Sequence, residues 1–211
     1  MFITLEGGEG SGKSSVAVEI ARLLETTGRS AIVTQEPIGT ELGCRIWEFF
    51  QEPDPLAITP LAELLLFEAA RAQHIEKVIR PALALGATVI CDRFADSSLA
   101  YQGYGRGLAT SLVESLNDAT TGGFQPDLTL LLDVPVEIGL ERARRLSATR
   151  GAKVEDAIGA ESLQFHLRVH GGFQEIARAN PKRVIVIDAT RPLDEVIERS
   201  WQIVKQAISV G

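Results

Sequence analysis

The feature that most narrows the fold is a short apolar run that breaks into glycines. Residues Phe2 to Glu6 read FITLE, and Gly7 to Ser14 read GGEGSGKS. The second stretch satisfies G-x-x-x-x-G-K-[ST] through Gly7, Gly12, Lys13 and Ser14. Glycine lets the backbone curl tightly enough for several N–H groups to converge on one anion. Behind it Val16, Ile20, Leu23 and Leu24 recur at helical spacing. The N-terminus of that helix adds positive potential at the same point. Strand, loop and helix in this order form a unit that binds the phosphates of a nucleoside triphosphate. Lys13 is expected on the β- and γ-phosphates and the Ser14 hydroxyl on Mg²⁺.

Other parts of the chain repeat the strand's character. Ala31 to Thr34, Ala87 to Cys91, Leu128 to Asp133 and Arg183 to Asp188 are short apolar runs without polar alternation. Helical patterns separate them: Leu61 to Leu85, Ser111 to Ala119, Pro135 to Arg145 and Pro192 to Ile208. Pro53, Pro55 and Pro60 read as a loop, and Pro81 predicts an interruption of the long helix at Arg80. The stretch from Asp92 to Gly107 is polar and bears glycines, and Ser147 to Gly159 lacks a clear period. These elements predict a five-stranded parallel sheet with helices on both faces. We expect a single domain over residues 1–211, with an aperiodic lid insertion at about 146–160.

Charge and composition remove other classes. A net charge of −7 argues against a nucleic-acid polymer as partner. No apolar run is long enough to span a bilayer, and the opening MFITLEGG lacks a leader pattern. A cytoplasmic protein with no membrane partner is therefore expected. Cys44 and Cys91 make no metal spacing and read as reduced, buried side chains. A guanine-reading N-K-x-D segment is absent, since neither Asn117 nor Asn180 begins one. Asp92 and Arg93 close the third strand, where the carboxylate can hold Mg²⁺ through water and the guanidinium a second anion.

The stretch from Asp92 to Gly103, DRFADSSLAYQG, resembles the D-R-[YFH]-x-x-S-[STN]-x-A-Y-Q signature of thymidylate kinases. Leu64 to His74, LLLFEAARAQH, is similar to that family's L-L-F-x-A-x-R-x-x-H helix. Thr34 to Thr40 (TQEPIGT), the phosphate loop and Asp188 to Val196 (DATRPLDEV) resemble further family segments. The resemblance implies a P-loop nucleoside monophosphate kinase fold and the reaction ATP + dTMP → ADP + dTDP. It also implies a homodimer.

By that resemblance Phe67 stacks on thymine, Arg71 contacts a base carbonyl and Ser98 bonds the pyrimidine edge. Tyr101 crowds the sugar 2′ position, with Gln102 beside it, and Glu9 approaches the 3′-hydroxyl. Arg93 holds the monophosphate, and Glu36 is an acceptor-side or water-mediated Mg²⁺ group. ATP is expected on Gly7, Gly8, Glu9, Gly10, Ser11, Gly12, Lys13, Ser14 and Ser15, with Arg142 on the adenine side. Some family members carry an arginine inside the phosphate loop; here that position is Gly10. The charge is then expected from Arg142, Arg144, Arg145 and Arg150, with Arg150 or Arg145 closing on the γ-phosphate. That cluster also suits a solvated helix end whose cations complement the dipole.

No general base is required, because a phosphate monoester with a second pKa of about 6 is already ionised. His74, His166 and His170 accordingly read as structural or surface residues. The chain departs from the family at Gln35, Ile38, Ala70, Ala157 and Gly159. Two other readings remain open at this level. One is a related P-loop kinase acting on another deoxynucleotide or deoxynucleoside. The other is a nucleotide-binding module without turnover.

Overall fold

A computed structural model describes residues 1–51, 58–150 and 161–210, without the side chains of Arg150 and Val210. Pro53, Pro55 and most of the expected lid, with Ala157 and Gly159, lie outside the described residues. The first half of the chain runs β1 (Phe2–Glu6), α1 (Lys13–Thr26), β2 (Ala31–Gln35), α2 (Glu41–Glu48) and α3 (Pro60–His74). A π-helical turn, Ile75–Ile79, joins α3 to α4 (Arg80–Ala84), and β3 (Thr88–Asp92) follows. After it come α5 (Ala95–Ser98), a π-helical segment Leu99–Gly105, and α6 (Thr110–Thr121). The chain ends with β4 (Leu128–Asp133), α7 (Val136–Arg150), α8 (Leu163–Ala179), β5 (Val184–Asp188) and α9 (Leu193–Val210).

The five strands form one parallel sheet in the order β2-β3-β1-β4-β5. Ile3 and Leu5 of β1 pack with Val16, Ile20 and Leu24 of α1 and Trp201 and Val204 of α9. On the opposite face Leu131 meets Phe165, Val169 and Phe173 of α8, while Phe2 meets Ile75 and Ile79. Both faces are covered, which is why the strands lack polar alternation. Thr4 and Thr129 are the polar interruptions on β1 and β4; their hydroxyls bond each other at 2.7 Å. Register places Leu5 beside Asp92. The carboxyl ends of β1 and β3 thus lie together, where the strand order reverses and ligands of such sheets bind.

Several expectations need correction. The α-helix is interrupted near Pro81, by the π-helical turn Ile75–Ile79, but Arg80 itself keeps helical angles (φ −59°, ψ −46°) and its N–H reaches Ile75 O. The widened turn before Pro81 takes up the proline, which sits in the first turn of α4, where its missing N–H is tolerated. Pro60 opens α3 rather than ending a loop, for the same reason. The stretch from Ala95 to Gly105 is helical, and α2 and α8 were not foreseen. The expected lid begins inside α7, which runs to Arg150. Cys91 is buried as expected, but Cys44 is exposed on α2, its Sγ reaching Ile38 O at 3.4 Å. None of the described helices is long and apolar enough to cross a membrane.

Candidate active site

The phosphate loop connects β1 to α1. At Gly7 (φ +138°) a Cβ would come 2.5 Å from Leu132 O, and at Gly10 (φ +64°) 2.0 Å from Gly139 O. Neither position admits a side chain, and Gly10 seats the loop directly on α7. Gly12 caps α1 in a left-handed conformation with no side-chain cap, so the first-turn amides are not occupied by a capping side chain. The Lys13 ammonium lies over the loop, bonded to Gly8 O at 2.8 Å, Gly7 O at 3.1 Å and Ser11 Oγ at 3.2 Å. Burial, and then Arg93, lower its pKa. The Ser14 hydroxyl donates to Asp92 Oδ2 at 2.6 Å. Asp92 Oδ1 is buried and has no hydrogen-bond partner. Ser15 is exposed on the outer side of the helix start.

Across the loop stands the turn that follows β3. Arg93 has φ +71°, a left-handed conformation that costs an L-residue about 1–2 kcal/mol. Its guanidinium donates to Glu9 Oε1 at 2.7 Å, Tyr101 OH at 3.1 Å, Gly7 O at 3.2 Å and Ser97 Oγ at 3.2 Å. It also lies 4.9 Å from the centre of the Tyr101 ring. The Tyr101 hydroxyl donates to Glu9 Oε1 at 2.8 Å. Burial opposes ionisation of Glu9, but Arg93, Lys13 and this hydroxyl outweigh it, and its pKa falls to about 2. At Glu6, burial and then Asp96 prevail over Ser97, Arg93 and the Phe94 amide, and the pKa rises to about 8. Two carboxyl groups three residues apart are thereby tuned in opposite directions.

Beyond Arg93 the pocket deepens towards α3. Phe67 and Arg71, one turn apart, both face it. Arg71 is 2% exposed and gives all five of its N–H groups to neighbours. They reach Glu36 at 2.9 Å, Glu68 at 2.5 Å, Asn117 at 2.8 Å, Ser98 Oγ at 2.9 Å and Phe94 O at 3.2 Å. His74 lies 3.2 Å from Glu36 through Nδ1 and 2.7 Å from Thr34 Oγ1 through Nε2. Phe67 stacks on Phe50 with centroids 4.9 Å apart. Gln102 donates to the buried Glu63 at 2.7 Å.

The resulting cavity of about 190 Å³ is lined by all eight residues expected on the acceptor side: Glu9, Glu36, Phe67, Arg71, Arg93, Ser98, Tyr101 and Gln102. It also has walls that went unforeseen. Trp47 comes from α2, Pro37 and Ile38 from the loop after β2, Phe94 from the turn after Arg93 and Ser97 from α5. Ser97 and Phe94 sit inside the recognised signature, so a signal existed for them. Trp47 lies on a helix whose pattern was not read.

Apart from Glu9, the described residues expected on the donor side do not line that cavity. Arg142 donates to Ala189 O at 2.7 Å and Thr190 O at 3.3 Å, on the loop after β5. Arg145 pairs with Glu141 at 2.7 Å on the exposed face of α7, outside the acceptor cavity. The side chain of Arg150 lies outside the described residues. His166 is buried with Nε2 unpartnered, and His170 lies 2.7 Å from Asp133; neither lines the cavity.

Comparison with known proteins gives a uniform result. A family model described as thymidylate kinase matches residues 5–199. A thymidylate kinase of Synechococcus sp. (strain JA-3-3Ab) is 51% identical over 205 residues, covering 97% of this chain and 95% of that protein. One from Deinococcus radiodurans is 47% identical over 206 residues, covering 98% and 97%. The crystal structure of thymidylate kinase from Ehrlichia chaffeensis superposes with a TM-score of 0.76 at 34% identity, covering 97% and 98% of the two chains.

Proposed function

Because the chain belongs to the thymidylate kinase family and is an ATP-dependent dTMP kinase, we propose a residue-by-residue division of labour for transfer of the ATP γ-phosphoryl group to dTMP. The observation that carries it is the convergence of eight acceptor-side residues on one cavity that abuts the phosphate loop. Thymine lies between Phe67 and the apolar wall, with Arg71 and Ser98 turned to its polar edge and Gln102 nearby. Each of Arg71's N–H groups is already engaged, so contact with the base exchanges or bridges one of those bonds. Tyr101 closes the 2′ side of the sugar, and the ionised Glu9 accepts from the 3′-hydroxyl. Glu36 orients Arg71 and flanks the acceptor. Arg93 holds the acceptor phosphate.

Lys13 and the amides from Gly7 to Ser15 hold the ATP phosphates, and Arg142 borders the adenine through the loop after β5. Gly10 leaves no room for an arginine in the phosphate loop, so the remaining cation comes from Arg145 or Arg150 at the end of α7. The Ser14 hydroxyl and Asp92, with one buried oxygen unsatisfied, form an oxygen donor pair that suits Mg²⁺ and its waters. When bound there with ATP, the ion neutralises charge on the phosphates. The chain's own contribution is in-line positioning and fixed positive charge. A single kinase domain with a short lid, a homodimer and a cytoplasmic location belong to the same proposal and rest on family membership.

The test is phosphoryl transfer from Mg-ATP to dTMP, dUMP, dGMP, AMP and thymidine. Strong preference for dTMP is expected; equal turnover of the monophosphates would sink the assignment of the pocket residues. Light scattering checks the dimer.

A further inference from the structure

Glu6 does not line the cavity, and it is 1% exposed at the point where β1 ends. The ladder between β1 and β3 ends with the Arg93 amide donating to Leu5 O at 3.0 Å. The next amide, Phe94 N–H, leaves the ladder and donates to Glu6 Oε1 at 2.8 Å. The Ser97 hydroxyl donates to Glu6 Oε2 at 2.6 Å and accepts from Arg93 Nη1 at 3.2 Å. One carboxyl group therefore grips both the backbone just after Arg93 and the hydroxyl that supports its guanidinium.

Arg93 is the one non-glycine residue with positive φ among the described residues. Such a conformation persists only where its surroundings over-determine it. We infer that Glu6 is a positioning residue for the acceptor phosphate: its carboxyl group holds the left-handed turn that aims Arg93 into the pocket. This rests on the proposed role of Arg93 as the acceptor-phosphate ligand. It adds a residue that contacts no substrate and acts through Phe94 and Ser97.

A positioning role and a merely structural one differ in what they do to thymidine, which lacks the phosphate but shares base and sugar. Equilibrium binding of dTMP and thymidine is measured at pH 9, where the Glu6 carboxyl is ionised in the free protein. Glu6→Gln keeps the volume and an acceptor for Phe94 N–H but turns an N–H towards Ser97. It is expected to weaken dTMP about tenfold while thymidine stays within about twofold. Parallel loss of both ligands, or no loss of either, overturns the inference.

If Glu6→Gln does not fold, Ser97→Ala breaks the same link to Arg93 without altering a buried charge. It is expected to give the same selective loss at about threefold, and an unchanged ratio of affinities overturns the inference. Arg93→Ala separates the two readings. Should it weaken dTMP selectively while neither Glu6→Gln nor Ser97→Ala does, the positioning role falls and the role of Arg93 stands. Should Arg93→Ala spare dTMP, both fall.

Discussion

Arg71 on α3 and Arg145 on α7 are both helical arginines, but they live in different solvents. The Arg71 side chain is 3% exposed and bound to two carboxylates, whereas that of Arg145 is 77% exposed and bound to Glu141 one turn back. A buried, fully bonded guanidinium is held in place before substrate arrives, in a medium that screens little. An exposed one is screened by salt and can swing from its partner at small cost. The proposed acceptor pocket is thus preorganised, while α7, proposed to face the donor, offers cations that adapt. Recognition of a rigid base and sugar suits the first arrangement. Closing around a triphosphate and opening again suits the second.

The comparison is most exposed to Arg71→Ala. Removing the cation leaves Glu68 buried without its partner and Glu36 with His74 alone, and a loss of about 3–5 kcal/mol in unfolding free energy is expected by denaturant titration. A loss below about 1 kcal/mol would mean that the pocket is less preorganised than its geometry indicates. Lys13→Ala, at the boundary of the two regions, is expected to lower kcat by about 10²–10³-fold. Stopped-assay rates near wild type would remove Lys13 from the chemistry. Phe67→Ala is expected to raise KM for dTMP about tenfold with KM for ATP unchanged, as loss of one buried ring face on the acceptor side alone requires; a matching rise for ATP would erase the distinction between the regions.

The opposed carboxyl groups give smaller, pH-dependent signals. The pKa of Glu9 is lowered from 4.5 to about 2, so its contribution to stability is present above 4.5 and lost as pH falls through 2. For Glu6, raised from 4.5 to about 8, the contribution is present below 4.5 and lost as pH rises through 8. In unfolding free energy measured against pH, Glu9→Gln should flatten the fall from pH 4.5 down to 2, and Glu6→Gln the fall from pH 4.5 up to 8. Identical profiles for the two variants would contradict this assignment. Arg145→Ala is expected to have the least effect, under about 0.5 kcal/mol on stability. Its kcat, compared with that of Arg150→Ala, decides which arginine serves the γ-phosphate: the variant with the larger loss identifies it.

The strands and the phosphate loop were readable because their signals are local. An apolar run bounded by glycines, and a glycine needed where a Cβ would strike Leu132 or Gly139, leave marks within a few residues. Phe67, Arg71, Arg93, Ser98, Tyr101 and Gln102 fall in two contiguous segments that resemble family signatures, and the fold brings all six to one cavity. What escaped was set by partners far along the chain. The segment from Ala95 to Gly105 contains glycines and polar residues that argue for a loop. It is helical because Ala100 and Tyr101 pack against Phe165, Val169 and Phe173 of α8. Trp47 reaches the pocket because α2 packs on α3, and Pro81 stays helical because a π turn precedes it.

From the amino-acid order came the parallel α/β class and the triphosphate loop, since each rests on spacing that backbone geometry converts directly into position. The candidate acceptor residues came from resemblance to the thymidylate kinase family. Only the folded chain decided the charge state of those residues and their mutual support. Glu6 and Glu9 are the same side chain three positions apart. One is pushed up by burial and Asp96, the other held down by Arg93 and Lys13, and Arg93 and Asp96 are brought to them from the turn and helix that follow β3. Electrostatic fields depend on distance through space, and sequence spacing does not contain that distance.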